Sequence, residues 1–338
     1  MLSFKRFLYK LLIVFVLVTV LFSLLINIGI DSNLSQGHIR KELKEKEGPI
    51  ETIVVGSSKS AQGIDPNIVS NQLNTKCFNI SANGASLSAR LSLAKQYIMK
   101  NPVKSVILDV SIDSMVLTSE QFGHQGQFLA MQRMNKTDLF TYFIKELTIS
   151  EKVYAIRDLL KNGKSVIVNR IINNTNSISN NYVGNGYYIG YDSIKYFDES
   201  YLENYQKLQI NTNVISKNEE QLCNFISLCN KQNISLYLVY LPDSSLYVNQ
   251  YSNIDEGYNY FKNICYNNCK YINFNLLKEK DLLLPNQESY YDDTHLTTNS
   301  STIVTNKLCE LIKMLENNSS IEDLFYDSNI QKLEQTMN

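Results

Sequence analysis

Two periodicities alternate along most of the chain. Short, almost wholly apolar runs rich in β-branched residues occur at Glu51–Gly56 (ETIVVG), Lys76–Ile80 (KCFNI), Val103–Val110 (VKSVILDV) and Ile234–Leu241 (ISLYLVYL), with a weaker one at Tyr271–Phe274. Each has the length and punctuation of a buried strand. Between them, apolar residues recur at helical spacing. Leu87, Leu91, Ala94 and Ile98 share a face within Ser86–Lys100, and Leu222, Phe225, Ile226 and Cys229 do so within Asn218–Gln232. Ile303, Val304, Leu308, Ile312 and Leu315 follow within Thr298–Leu315. Apolar strands alternating with amphipathic helices predict an α/β fold, a flavodoxin-like three-layer sandwich on a mostly parallel sheet. The alternation breaks over about 114–215. That stretch carries helix-like pieces near 135–162 and then an Asn- and Tyr-rich segment, and it reads as a long mixed insertion on the α/β core.

A different pattern opens the chain. Lys5, Arg6 and Lys10 precede LLIVFVLVTVLFSLLINIGI, residues 11–30, which carry no charge. Twenty helical residues span ~30 Å, the hydrocarbon thickness of a bilayer. No small-x-small cleavage pattern ends the run, so it reads as an uncleaved anchor. The cations before it predict a cytoplasmic N-terminus (residues 1–10), a single-pass transmembrane helix and an extracytoplasmic remainder at the cell membrane. Residues 31–48 are polar and charge-mixed, a stalk or linker. The α/β domain is then expected over 49–317, with a polar tail at 318–338.

Composition narrows the function. The chain has 338 residues, with 32 Lys+Arg against 33 Asp+Glu, so no basic excess points to nucleic acid. The over-use of Asn, Ile, Lys and Tyr suggests an AT-rich, bacterial coding sequence. There are only three His, namely His38, His124 and His295, so His-rich metal chemistry is not expected. The six Cys are too sparse for a disulfide scaffold. Cys265-x-x-x-Cys269 lacks zinc-site partners, and within a helix that spacing makes a poor bridge; mostly buried free thiols are expected, with room for one bridge. No P-loop appears, and Gly184-x-Gly186-x-x-x-Gly190 has the wrong spacing for a dinucleotide site. No cofactor and no metal are therefore expected.

Two segments bear chemistry. Gly56-Ser57-Ser58-Lys59-Ser60 directly follows the first predicted strand, where a Ser is exposed at the sheet's carboxyl edge near a helix N-terminus. Read alone, it is also an ordinary tight turn. Tyr290-Tyr291-Asp292-Asp293-Thr294-His295-Leu296 precedes the last long helix. An Asp three residues before a His supplies both the base of acyl transfer and the carboxylate that orients it, although an Asp-rich helix cap has the same look. Asp293 competes with Asp292 for the orienting role.

Together, a strand-end Ser and a late Asp-x-x-His resemble the SGNH (GDSL-like) hydrolase superfamily over roughly residues 50–315. The likeness is greatest to its membrane-anchored branch, which includes the D-alanyl transfer protein of lipoteichoic acid synthesis and alginate-type O-acetylation proteins. The resemblance implies Ser58 as nucleophile, His295 as base and Asp292 as its partner. It implies the Ser58 N–H as one oxyanion donor and Gly84, in Asn79–Ala85, as the second. Where the family has G-x-N-D after the third strand, this chain has Val110-Ser111-Ile112-Asp113, so a side-chain donor is missing unless Ser111 or the insertion replaces it. Other candidate substrate contacts are His124, in a polar Gly-flanked loop, and the aromatic rings of Tyr187 and Tyr188, whose alternative is ordinary packing.

The resemblance implies a serine acyltransferase or esterase acting on O-acyl, most simply O-acetyl, groups of a cell-envelope polysaccharide through an acyl-serine. A membrane-bound O-acyltransferase-type donor protein is the implied partner. The competing expectation is a catalytically degenerate scaffold that binds glycan or organises a surface-polymer complex. A plain secreted lipase fits less well with the polar insertion.

Overall fold

The computed structural model describes residues 48–118, 121, 124–134, 136–168, 181–190, 192, 207–266, 268–285 and 287–336, with isolated positions between 4 and 45. The predicted anchor at 11–30 and stalk at 31–48 fall largely outside the described residues. Among those described, no helix is long and apolar enough to cross a membrane.

The elements run β1 (Thr52–Val55), α1 (Ser58–Gly63), α2 (Pro66–Leu73), β2 (Cys77–Asn79), α3 (Leu87–Ile98), β3 (Ser105–Asp109) and α4 (Ile112–Val116). Then come α5 (His124–Arg133), α6 (Lys136–Lys145), α7 (Ile149–Val168), β4 (Tyr182–Gly184) and β5 (Tyr187–Tyr188). The chain continues with α8 (Ser216–Lys231), β6 (Ser235–Tyr240), α9 (Ser245–Asn249), α10 (Ile254–Cys265), β7 (Lys270–Asn273), α11 (Lys280–Leu283), α12 (Thr298–Glu316) and α13 (Asn329–Thr336). By internal contacts the chain divides into two compact units, one of residues 1–44 and 131–180, the other of 45–130 and 181–338.

The second unit contains a five-stranded sheet in the order β2-β1-β3-β6-β7, parallel throughout. This α/β arrangement is compatible with a flavodoxin-like sandwich. All five strands anticipated from the apolar runs are present. Strand alternation sends Val54, Ile107, Tyr237, Val239 and Ile272 into one core with Ile64 and Val69 from the α1–α2 segment and Val304, Leu308 and Ile312 of α12. Ile53, Val106, Leu108, Leu236 and Leu238 are equally buried and serve the other face, where α3 packs on β1 and on α8. Burial on both faces is why these strands read as continuous apolar runs rather than as alternation.

One expectation, for His124, is corrected, and two are made specific. The Asn- and Tyr-rich segment folds partly as an antiparallel β4–β5 hairpin, turned by Asn185 and Gly186, both at positive φ. Gly186 is required there, since a side chain would strike the Asn79 carbonyl. His124 does not sit in a loop: it opens α5, and its side chain lies outside the described part of the structure. Cys265 and Cys269 form a disulfide. The helical objection fails because Cys265 is the last residue of α10 and Cys269 lies beyond it, leaving the Cα atoms 4.8 Å apart. Cys77, Cys229 and Cys309 are buried free thiols, and Cys223 is exposed.

Candidate functional site

Residues from the carboxyl ends of β1, β2, β3 and β6 converge on the turn that follows β1. There the chain passes from Gly56 into α1, with Ser57 as N-cap and Ser58 as first helical residue. The first bond of the turn runs from Ala61 N–H to the Ser57 carbonyl. The N–H groups of Ser58, Lys59 and Ser60 therefore have no acceptor within the helix.

Ser58 Oγ lies 2.8 Å from His295 Nε2. His295 Nδ1 lies 2.8 and 3.0 Å from Asp292 Oδ1 and Oδ2. The three residues anticipated from the sequence thus form one hydrogen-bonded line. Asp292, rather than Asp293, faces the imidazole. Asp293 instead accepts the Ser244 N–H at its carbonyl, at 2.8 Å. Asp292 Oδ1 also accepts the N–H groups of Thr294 and His295, at 3.0 and 2.9 Å. Burial alone would raise the Asp292 carboxyl, but the His295 ring and these two N–H groups outweigh it and hold it at about 2. An ionised Asp292 fixes the tautomer with hydrogen on Nδ1, leaving the Nε2 lone pair toward Ser58.

Local structure sets the loop. Tyr290 and Leu296 form an antiparallel bridge, and Tyr291 N–H donates to the His295 carbonyl at 2.8 Å. Asp292 to His295 are therefore the tip of a small closed loop. Tyr290 Oη donates to the Asp243 carbonyl at 3.1 Å, tying that loop to the segment after β6.

Buried ions support the same corner. The Lys59 ammonium, one residue past Ser58, pairs with the buried carboxylate of Asp243. Lys280 Nζ donates to the Asp243 carbonyl at 2.6 Å and to Asn275 Oδ1 at 3.1 Å. Burial pushes Asp243 up, against the opposing pull of Lys59. Burial, with Lys332 nearby, pushes the Lys280 ammonium down to about 7.

Beneath the Gly56–Ser58 turn, Asp109 closes β3. Its Oδ2 accepts the Ser57 hydroxyl at 3.0 Å and the Ser57 N–H at 3.3 Å. Gly56 permits this approach, since a Cβ there would meet Ser60 Oγ and come within 2.5 Å of Asp109 Cβ. Sequence reasoning missed Asp109, Arg90, Lys59 and Asp243. A carboxylate at the last position of a buried strand was the available clue for Asp109.

Gly84 sits in a turn closed by Ala85 N–H to the Ala82 carbonyl, at 3.1 Å, with φ +65°. The Asn79–Ala82 segment leading into that turn is fastened to Gly56 and Ser60 at three points. Ala82 N–H donates to the Gly56 carbonyl at 3.0 Å, Ser60 Oγ to Ser81 Oγ at 2.9 Å, and Asn79 Nδ2 to the Ser60 carbonyl at 2.8 Å. Arg90 Nε holds the Ala85 carbonyl at 2.7 Å. Gly126 of α5 packs so closely that a side chain there would land on the Gly84 carbonyl.

The remaining candidates separate. Ser111 precedes α4, where Ser114 Oγ closes back on its carbonyl at 2.5 Å. Ile112, where the resemblance would expect an Asn, is buried and packs against Gly257 of α10. No side-chain donor can come from it. Tyr187 is buried, with its hydroxyl 2.8 Å from Ser301 Oγ and 3.3 Å from the Gln62 carbonyl. Burial raises that phenol to about 12. Tyr187 is thus a core residue and not a stacking platform, because its ring is enclosed and its hydroxyl is satisfied. Tyr188 is half-buried against Tyr182, ring centroids 5.0 Å apart. Among the described residues, no three His, Cys, Asp or Glu side chains gather as a metal site. No protein-family model matches this chain, and no curated protein matches it either.

Proposed function

We propose that the chain is an SGNH-like serine acyltransferase or esterase. In this reading it is anchored by residues 11–30 with its α/β domain extracytoplasmic, and it acts on O-acyl, most simply O-acetyl, groups of a cell-envelope polysaccharide. The observation that carries the reading is the line from Ser58 Oγ through His295 to Asp292. Ser58 Oγ attacks the acyl carbonyl while its proton passes to His295 Nε2. The N–H groups of Ser58 and Gly84 face the resulting oxyanion. Collapse of the intermediate breaks the bond to the donor's leaving oxygen, which takes the proton from His295. An acceptor hydroxyl then attacks the acyl-Ser58, giving its proton to His295, and Ser58 is released reprotonated. A sugar hydroxyl as acceptor makes the protein a transferase, and water makes it an esterase. The anchor favours a transferase served by a membrane-bound O-acyltransferase-type donor.

The test is a fluorophosphonate serine probe on the full chain in detergent, read by intact mass. One adduct is expected on the wild type and none on Ser58→Ala. A folded wild type without an adduct would overturn the reading. It would favour the second one, a degenerate scaffold that binds glycan or organises a surface-polymer complex. The burial of Ile112 at the position of the missing oxyanion donor speaks for that alternative.

A further inference from the structure

Helix α7 is inside out. Ile149, Val153 and Leu160 are 82%, 61% and 51% exposed, and at 3.6 residues per turn they fall within about 40° of one another. Ile156, half-buried, lies on the same stripe. The enclosed side of the helix carries Glu151 and Ala155 instead. Its neighbour α6 buries Leu139, Tyr142 and Phe143, yet leaves Phe140 and Ile144, one turn apart, exposed.

A helix in water turns its apolar stripe inward. Ile144, Ile149, Val153 and Leu160, facing out on two consecutive helices, call for a cover. Cations flank the stripe of α7, with Lys152 on one side and Arg157 and Lys161 on the other. That is the composition of a helix lying in a lipid interface, where basic residues meet anionic headgroups. The compact unit that holds α6 and α7 also holds residues 1–44, which include the uncharged run 11–30.

We infer that the exposed face of α6 and α7 rests in the interface of a lipid bilayer beside the anchor, making a second contact with the membrane. The inference depends on the anchor reading of residues 11–30.

The chain has no Trp, so one introduced Trp reports without background. Val153→Trp, Ile149→Trp and Leu17→Trp are each made in the full chain. Each is reconstituted in phosphatidylcholine–phosphatidylglycerol vesicles with and without brominated acyl chains. All three are expected to lose about half their emission or more to bromine. The two α7 variants should respond best to bromines near the headgroup, as a stripe about 5–10 Å deep requires. Quenching of Leu17→Trp alone, with Val153→Trp and Ile149→Trp open to acrylamide, would overturn the inference and leave the anchor standing. Trp at both α7 positions shielded from acrylamide yet untouched by bromine would also overturn it, since protein would then cover the face. No quenching of Leu17→Trp would remove the anchor reading, and the inference with it.

Discussion

Replacing Asp292 by Asn tests the imidazole line with almost no change of shape. In the wild type, Asp292 Oδ1 faces four donors, the N–H groups of Thr294 and His295, Thr294 Oγ1 and His295 Nδ1, and Oδ2 stands 3.0 Å from His295 Nδ1. In Asp292→Asn the amide oxygen keeps the N–H groups of Thr294 and His295, which places the new NH2 group where Oδ2 was. The NH2 then faces Nδ1 at 3.0 Å and competes there with the amide oxygen 2.8 Å away, and the neutral amide no longer supports an imidazolium. The ring escapes by moving its hydrogen to Nε2, so that Nδ1 accepts. Nε2 then points a hydrogen, not a lone pair, at Ser58 Oγ 2.8 Å away. Loss of the correct tautomer in a triad costs about 10⁴ in rate, or ~5.5 kcal/mol of barrier. The assay is the pseudo-first-order rate of fluorophosphonate labelling, followed by intact mass on protein whose thermal midpoint is measured in parallel. Asp293→Asn is the matched control and should label like the wild type. A folded Asp292→Asn labelling within tenfold of the wild type would refute the assignment of Asp292.

Other expectations follow from the surrounding packing. Gly56→Ala forces a methyl group against Asp109 and Ser60; it should cost about 1–3 kcal/mol and slow labelling of Ser58, and an unchanged melting midpoint together with an unchanged rate would contradict the close approach. Ile112→Asn places an amide in the apolar site beside Gly257; it should lose about 2–5 kcal/mol without accelerating labelling, and a faster reaction would show that the position can serve as a donor after all. Lys280 has its ammonium lowered by burial from 10.5 to about 7, so between those values the unfolded chain holds a proton that the folded one lacks. Stability from this group therefore rises with pH through that window, and its burial penalty is greatest below about pH 7. In denaturant titrations, the wild type should gain stability relative to Lys280→Met from pH 7 to 9, and a constant difference would rule this out.

Much of the frame was legible because burial on both faces writes itself into β1, β3 and β6 as unbroken apolar runs. Ser58 and His295 were legible for another reason: each sits in a short segment whose neighbours announce a strand end or a helix start. What joins them was not. Asp109 meets Ser57, and Lys59 meets Asp243, across long separations in sequence, and no local pattern marks either pair. For Tyr187 both packing and a substrate contact stood open in the sequence, because aromatic residues near a cleft look alike whether they line it or fill the core behind it. The Cys265–Cys269 bridge turned on where α10 stops, a boundary that periodicity fixes only to within a few residues. The outward apolar face of α7 was invisible from periodicity, which reports that a stripe exists and not which way it faces.

The separation of Ser58 from His295 by 237 positions has a consequence for timing. Ser58 and its strand leave the ribosome early, while the imidazole that would activate it belongs to one of the last segments made. Until β7 has joined the sheet and the 290–296 loop has closed, no imidazole stands beside Ser58 Oγ. On the proposed reading, a nascent, stalled or truncated chain that lacks this loop would carry no activated serine.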